Sequence, residues 1–144
     1  MKVALDSSVL TGALLEREPH NQSCRKLLTR RSLTAWTHAI SETFSSLTGG
    51  RQEWRVPPSV ASQLIDGLLM PRLNFIELNA QEMSAALREA QAAGVRGGAV
   101  HDYLHLVAAR KAGVGAFYTL NLRHFVAVAR RGDPEILPPE SLNP

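Results

Sequence analysis

The chain has one cysteine, Cys24, in 144 residues. That excludes an internal disulfide and a cysteine-based zinc site, and it suits a reducing compartment, so a cytoplasmic protein is expected. Long apolar runs are missing as well. Even "AVHDYLHLVAA" is broken by His and Asp, and nothing approaches the roughly 20 apolar residues of a membrane span, so no membrane partner is expected. "MKVALDSSVLTGALL" is not expected to be a secretory signal, because Asp6 interrupts the stretch that would have to be apolar. No G-x-G-x-x-G follows the first strand-like segment; "GVRGG" follows a helical one, which argues against a dinucleotide-binding domain. A haloacid-type phosphatase would want a second Asp two residues after Asp6, where this chain has Ser8, and the acidic pair of a receiver domain is absent. Repeats, low-complexity tracts and linkers are absent too, so a single domain over 1–144 is expected.

What is present is an ordinary globular composition, 44% hydrophobic with a formal net charge of +3. Small basic clusters at Arg25-Lys26, Arg30-Arg31, Arg110-Lys111 and Arg130-Arg131 suit phosphates, but equally suit solvated helix faces. Cys24 lies on an amphipathic segment and reads as packing.

Short apolar strands alternate with helices. "KVAL", "SLTAW", "RLNFIEL", "GAFYTL" and "EIL" read as strands. "SSVLTGALLER" reads as a helix with Val9, Leu10, Ala13 and Leu14 on one face, and a second helix runs from about Pro19 through "NQSCRKLLTRR". Thr37 is expected to cap "THAISETFSSLTGG", with Ile40, Phe44 and Leu47 as its apolar stripe and Gly49-Gly50 as its stop. "PPSVASQLIDGLL" starts on prolines and puts Val60, Leu64 and Leu68 on one face. Asn79 caps the next helix, which ends on Gly94; Gly113 ends the one after it, and "NLRHFVAVARRG" is a short last helix. Such alternation implies an α/β fold with a parallel sheet covered on both faces. Functional groups then gather at the carboxyl ends of the strands.

Three acids can meet at that edge. Asp6 ends the first strand, Glu42 lies early in the helix after the second, and Asp102 opens the helix before the fourth. Crowded carboxylates repel unless a cation shares the space. Mg²⁺ or Mn²⁺ takes oxygen ligands, keeps waters and is commonly held by one or two carboxylates plus substrate phosphate. Such an ion can activate water for attack on phosphorus, which is chemistry for cutting a phosphodiester. Each acid also has a plainer role: Asp6 as a helix cap, Glu42 as a solvated helix residue, Asp102 as a first-turn carboxylate favoured by the dipole.

"VALDSSVL", "HAISETFSSL", "GGAVHDYLHLVAARKAGV" and "FYTLNLRHF" together resemble the PIN-domain family, and within it the VapC-type toxins of bacterial toxin–antitoxin pairs. The resemblance spans nearly the whole chain. It implies a three-layer α/β/α sandwich with a mainly parallel five-stranded sheet. It also implies a Mg²⁺- or Mn²⁺-dependent endoribonuclease acting on RNA, usually a homodimer, inhibited by a small VapB-like antitoxin. Residue by residue, Asp6, Glu42 and Asp102 match the family's first three acids, Ser7 the small hydroxyl after the first, and Thr119 the hydroxyl near the fourth acidic position. Asp6 and Asp102 would bind the ion with Glu42 assisting, while Ser7, Thr119 and Asn121 orient ligands and waters. Ser7 is also explained as a helix N-terminal residue, and Thr119 as a strand-end hydroxyl.

The departure is Asn121, where many relatives carry Asp. An amide offers one carbonyl oxygen and no charge, so one tightly held ion is expected rather than two. Asn121 could also cap the following helix. If the substitution has weakened the site, the chain would instead be a PIN-like module that binds RNA or protein. His38, His101, His105 and His124 lie near the proposed edge; packing or surface roles explain lone helix histidines, and His101 and His124 are the ones to test for RNA contact. Arg123, Arg96 and Arg17 are candidate backbone contacts, and Trp36 and Trp54 candidate stacking residues, with Trp36 also suiting the core. The helix "SVASQLIDGLL" and the early apolar stripes suit either partner grooves or plain packing.

Overall fold

The structure is a computed structural model that describes residues 1–50 and 52–142. Five strands form one sheet: β1 (Val3–Leu5), β2 (Leu33–Trp36), β3 (Leu73–Ile76), β4 (Ala116–Tyr118) and β5 (Glu135–Leu137). Their order is β3-β2-β1-β4-β5, and every pairing is parallel, so the expected "mainly parallel" sheet is wholly so. β1 is central because it is buried on both sides, with Val3, Ala4 and Leu5 all at 3% exposure or less. The chain adds β2 and β3 on one side of β1, then crosses back to add β4 and β5 on the other. The switch point therefore lies between the carboxyl ends of β1 and β4, where an open parallel sheet leaves a crevice.

Among the described residues, seven α-helices cover the sheet: α1 (Ser7–Leu14), α2 (Asn21–Leu27), α3 (Ala39–Gly49), α4 (Pro58–Leu64), α5 (Ala80–Ala90), α6 (Ala99–Ala112) and α7 (Leu122–Val128). Strand alternation divides the core into two layers. Val3, Leu5, Leu33, Ala35 and Tyr118 pack with Val9, Leu10, Cys24, Leu27 and Ile65 from α1, α2 and the α4 region. Ala4, Trp36 and Phe117 face the other way, onto Ala86, Leu104, Leu106 and Phe125 from α5, α6 and α7. The result is the expected α/β/α sandwich. Cys24 is fully buried, as a packing residue should be, and burial first, then the charges of Glu140, Glu18 and Asp6, push its thiol up to about 12.

Local signals set most helix ends. Asn79 accepts from the Glu82 N–H at 2.8 Å while the Glu82 carboxylate accepts from the Asn79 N–H at 3.1 Å, a complete capping box. Gly94 and Gly113 take left-handed backbone at the ends of their helices, where a side chain would be strained. Other expectations need correction. α2 begins at Asn21, not Pro19. Thr37 does not cap α3; its hydroxyl donates to the Ile76 carbonyl at 3.2 Å, tying β2 to β3, and His38 occupies the cap position. The α3 stripe is only part of the core, since Phe44 is 37% exposed. On α4 the buried residue is Ala61, followed by Ile65 and Leu69 in a wide π turn (Ile65–Leu69), while Val60 and Leu68 face outward.

Candidate functional site

Asp6 answers for its position at the end of a buried strand by being held on both oxygens. Its Oδ1 accepts from the Ser8 hydroxyl at 2.6 Å and from the Val9 N–H at 3.2 Å, so it does cap α1. Its Oδ2 accepts from the Thr119 hydroxyl at 2.7 Å. Both hydroxyls are themselves fixed by the loop after β4: the Leu120 N–H donates to Ser8 Oγ and the Asn121 N–H to Thr119 Oγ1, each at 2.9 Å. Two parallel relays thus lock the ends of β1 and β4 together. Asp6 is 2% exposed, and burial pushes its carboxyl above the usual range against the attraction of His105 and its hydrogen bonds to Ser8, Thr119 and Val9. One lone pair on Oδ2 is left unspent.

Glu42 reaches in from α3. Burial raises its carboxyl, but the hydrogen bond from His105 and the attraction of His105, His38 and His101 outweigh that and leave it below the usual value. The contact is His105 Nε2 to Glu42 Oε1 at 2.5 Å, and since an ionised carboxylate only accepts, Nε2–H donates. His105 is buried, with Nδ1 unpartnered. Asp102, one turn before His105 on α6, lies 3.6 Å from His124 Nδ1 through its Oδ2. Burial pushes the Asp102 carboxyl up; His105 and His124 oppose this, and Glu42 adds to it. His105 thus bonds Glu42 directly, and its charge opposes the rise at Asp6 and Asp102.

No protein-family model matches the chain, and no curated protein matches it. Solved structures do. VapC20 of Mycobacterium tuberculosis, described as a sarcin-ricin loop cleaving toxin, superposes with a TM-score of 0.70 at 16% identity, over 92% of this chain and all (100%) of the other. VapBC2 of Rickettsia felis, bound to a promoter DNA fragment, gives 0.66 at 13% identity, covering 96% of this chain and 98% of that one. FitAcB of Neisseria gonorrhoeae gives 0.61 at 14%, covering 95% and 97%. This is the PIN-like fold.

Within the PIN-like fold, the expected acids do not close equally. Among the described residues, the one group of three His, Cys, Asp or Glu side chains with ligand atoms all within 4.8 Å of one another is His38, Glu42 and His101. Asp6, Glu42 and Asp102 do not form such a group. Their donor set still fits a hard divalent ion. The donors are carboxylate oxygens, two of the acids are raised by burial, and Mg²⁺ keeps several waters instead of demanding an all-protein cage.

The hydroxyl roles shift by one residue. Ser7 is the first residue of α1, whereas Ser8 makes the contact to Asp6. Thr119 donates to Asp6, while Asn121 enters the network through its backbone N–H, its side chain exposed and not capping α7. Trp36 is core, tilted at 41° against His38 with ring centres 4.7 Å apart, and edge-on at 5.0 Å to His105. Arg96 and Arg123 are exposed, and Arg17 donates to the Glu53 carbonyl at 3.5 Å. Ser8 was missed as an Asp6 partner, and His105, placed near the edge, was read as a packing or surface residue without its contact to Glu42. The spacing Asp102-x-x-His105 was the available signal, since residues three apart share a helix face.

Proposed function

We propose that the chain is a metal-dependent endoribonuclease, the toxin of a VapBC-type pair. The observation that carries this reading is buried Asp6 held at the β1–β4 junction by Ser8 and Thr119, with Glu42 bonded to His105 one turn along α6 from Asp102. The toxin and toxin–antitoxin neighbours of the same fold support it. Asp6 and Asp102 would hold Mg²⁺ or Mn²⁺, with Glu42 assisting. When bound, the ion lowers the pKa of water and offsets charge on the phosphate oxygens.

The chain's own residues supply the rest. Ser8 and Thr119 hold Asp6 in one orientation, and a fixed carboxylate does not have to be ordered when substrate arrives. His105 does the same for Glu42. His124, 69% exposed beside Asp102, and exposed Arg96 and Arg123 are placed to meet the RNA backbone. A groove of about 740 Å³ lined by Trp36, Ile40, Phe44, Ile65 and Met83, with Val60 and Met70 exposed on the surface, supports binding of a small antitoxin or a second copy of the chain. No helix among the described residues is long and apolar enough to cross a membrane.

The test is cleavage of a structured RNA by wild type and Asp6→Ala, with and without EDTA. Cutting that requires both the metal and Asp6 supports the nuclease. RNA binding without metal-dependent cutting would favour the binding-module reading, which the neutral Asn121 side chain recommends.

A further inference from the structure

We propose that His38, Glu42 and His101 form a second metal site, one for a borderline transition-metal ion of the zinc, cobalt or nickel class. His38 and Glu42 are four residues apart at the start of α3 and lie on one face. His101, in the first turn of α6, completes the group, with one ligand atom from each residue within 4.8 Å of the others. Metal–ligand bonds of about 2.0–2.2 Å put tetrahedral ligand atoms about 3.4 Å apart, so small side-chain rotations close the set.

The surroundings prepare each ligand. The Ser41 hydroxyl donates to the His38 carbonyl at 2.9 Å, so toward His38 Nδ1, 3.3 Å away, it can only accept. In the tautomer with the proton on Nδ1, the Nε2 lone pair is left for a metal. Glu42 gives Oε1 to His105 and keeps Oε2. A histidine behind a ligating carboxylate is the outer-shell support that metal sites use to orient their ligands. The His38 and His101 rings stack at 5.6 Å and 15°, and Trp36 packs against His38 from behind. The two imidazoles therefore present themselves as a pair.

Ligand chemistry separates this site from the acid pocket. Two neutral imidazoles and one carboxylate suit zinc-class ions, whereas Mg²⁺ prefers oxygen and water. Three protein ligands also leave a coordination position open, as in sites that exchange a ligand. The inference does not rest on the nuclease reading, since only Glu42 is common to both sites.

The experiment titrates the untagged full chain with Zn²⁺ by calorimetry and with Co²⁺ by visible absorption. One ion per chain is expected, not displaced by excess Mg²⁺. His101→Ala should weaken binding by more than ~100-fold, beyond what loss of an outer-shell partner costs. His38→Ala should do the same, and His20→Ala, far from the group, should change nothing. His101 is exposed, so its variant is expected to melt as wild type does. Binding that survives both His38→Ala and His101→Ala, binding lost in His20→Ala, or no stoichiometric binding would each overturn the proposal. A chain that cuts RNA with Mg²⁺ but shows no Co²⁺ spectrum removes this site alone; one that binds Co²⁺ through His101 but cuts nothing removes only the nuclease.

Discussion

Thr119 is fully buried and spends its hydroxyl twice, donating to Asp6 Oδ2 and accepting from the Asn121 N–H. Thr119→Val keeps the shape and strands both partners. It should cost about 1–3 kcal/mol in a urea melt and raise the Asp6 carboxyl further, shifting the acid limb of RNA cleavage to higher pH. The three acids give pH dependence of opposite signs. Asp6 and Asp102 are raised in the folded chain, so they favour folding at low pH and that contribution is lost as pH rises through their raised values. Glu42 is lowered, so its contribution is present at higher pH and lost as pH falls through its lowered value. With two sites against one, Mg²⁺ should raise the melting midpoint more at neutral pH, where the carboxylates need a counterion, than in acid. Equal shifts at both would count against carboxylate ligation. A strand-ending Asp6 was legible in the sequence. Ser8 was not, because which of two adjacent serines turns back to Asp6 depends on the phase of α1.

Helix packing decides the next scale. Gly12 sits inside α1, where Ala would ordinarily stabilise by about 1 kcal/mol. Here an added Cβ would lie 2.9 Å from the Cys24 Sγ, and Cys24 is fully buried with nowhere to retreat. Gly12→Ala is therefore expected to destabilise by about 1–3 kcal/mol in denaturant melts, reversing the propensity effect. Asn79→Ala should cost about 1 kcal/mol through loss of the cap and leave RNA cleavage unchanged, since the α5 start bears none of the site. The Asn79 cap and the Gly94 and Gly113 stops were readable because each is a short-range backbone requirement. The Thr37 cap and the Val60 stripe were misread because neighbours settled them: Thr37 was claimed by the β3 carbonyl, and α4 turned its smallest residue inward.

Across the molecule, the strand order is what makes a site. Placing β4 beside β1 brings residues 6 and 119 into hydrogen-bond contact across 113 positions of sequence. Two apolar layers share one five-stranded sheet, and we propose that they unfold as one domain. Near-UV and far-UV melts should coincide, with Trp36 reporting on one layer and the backbone on both. Separate transitions would divide the layers.

Alternation of strands and helices, the caps and the acid at the first strand's end are consequences of local chemistry, and the sequence by itself determined them. It also indicated the α/β character, because short apolar strands alternating with helices imply a parallel sheet covered on both faces. Which side chains meet was decided by the tertiary structure alone. The spacing of Asp102 and His105 is local to α6, but the contacts of His105 with Glu42 and of His124 with Asp102 join separate helices, and no local pattern encodes those.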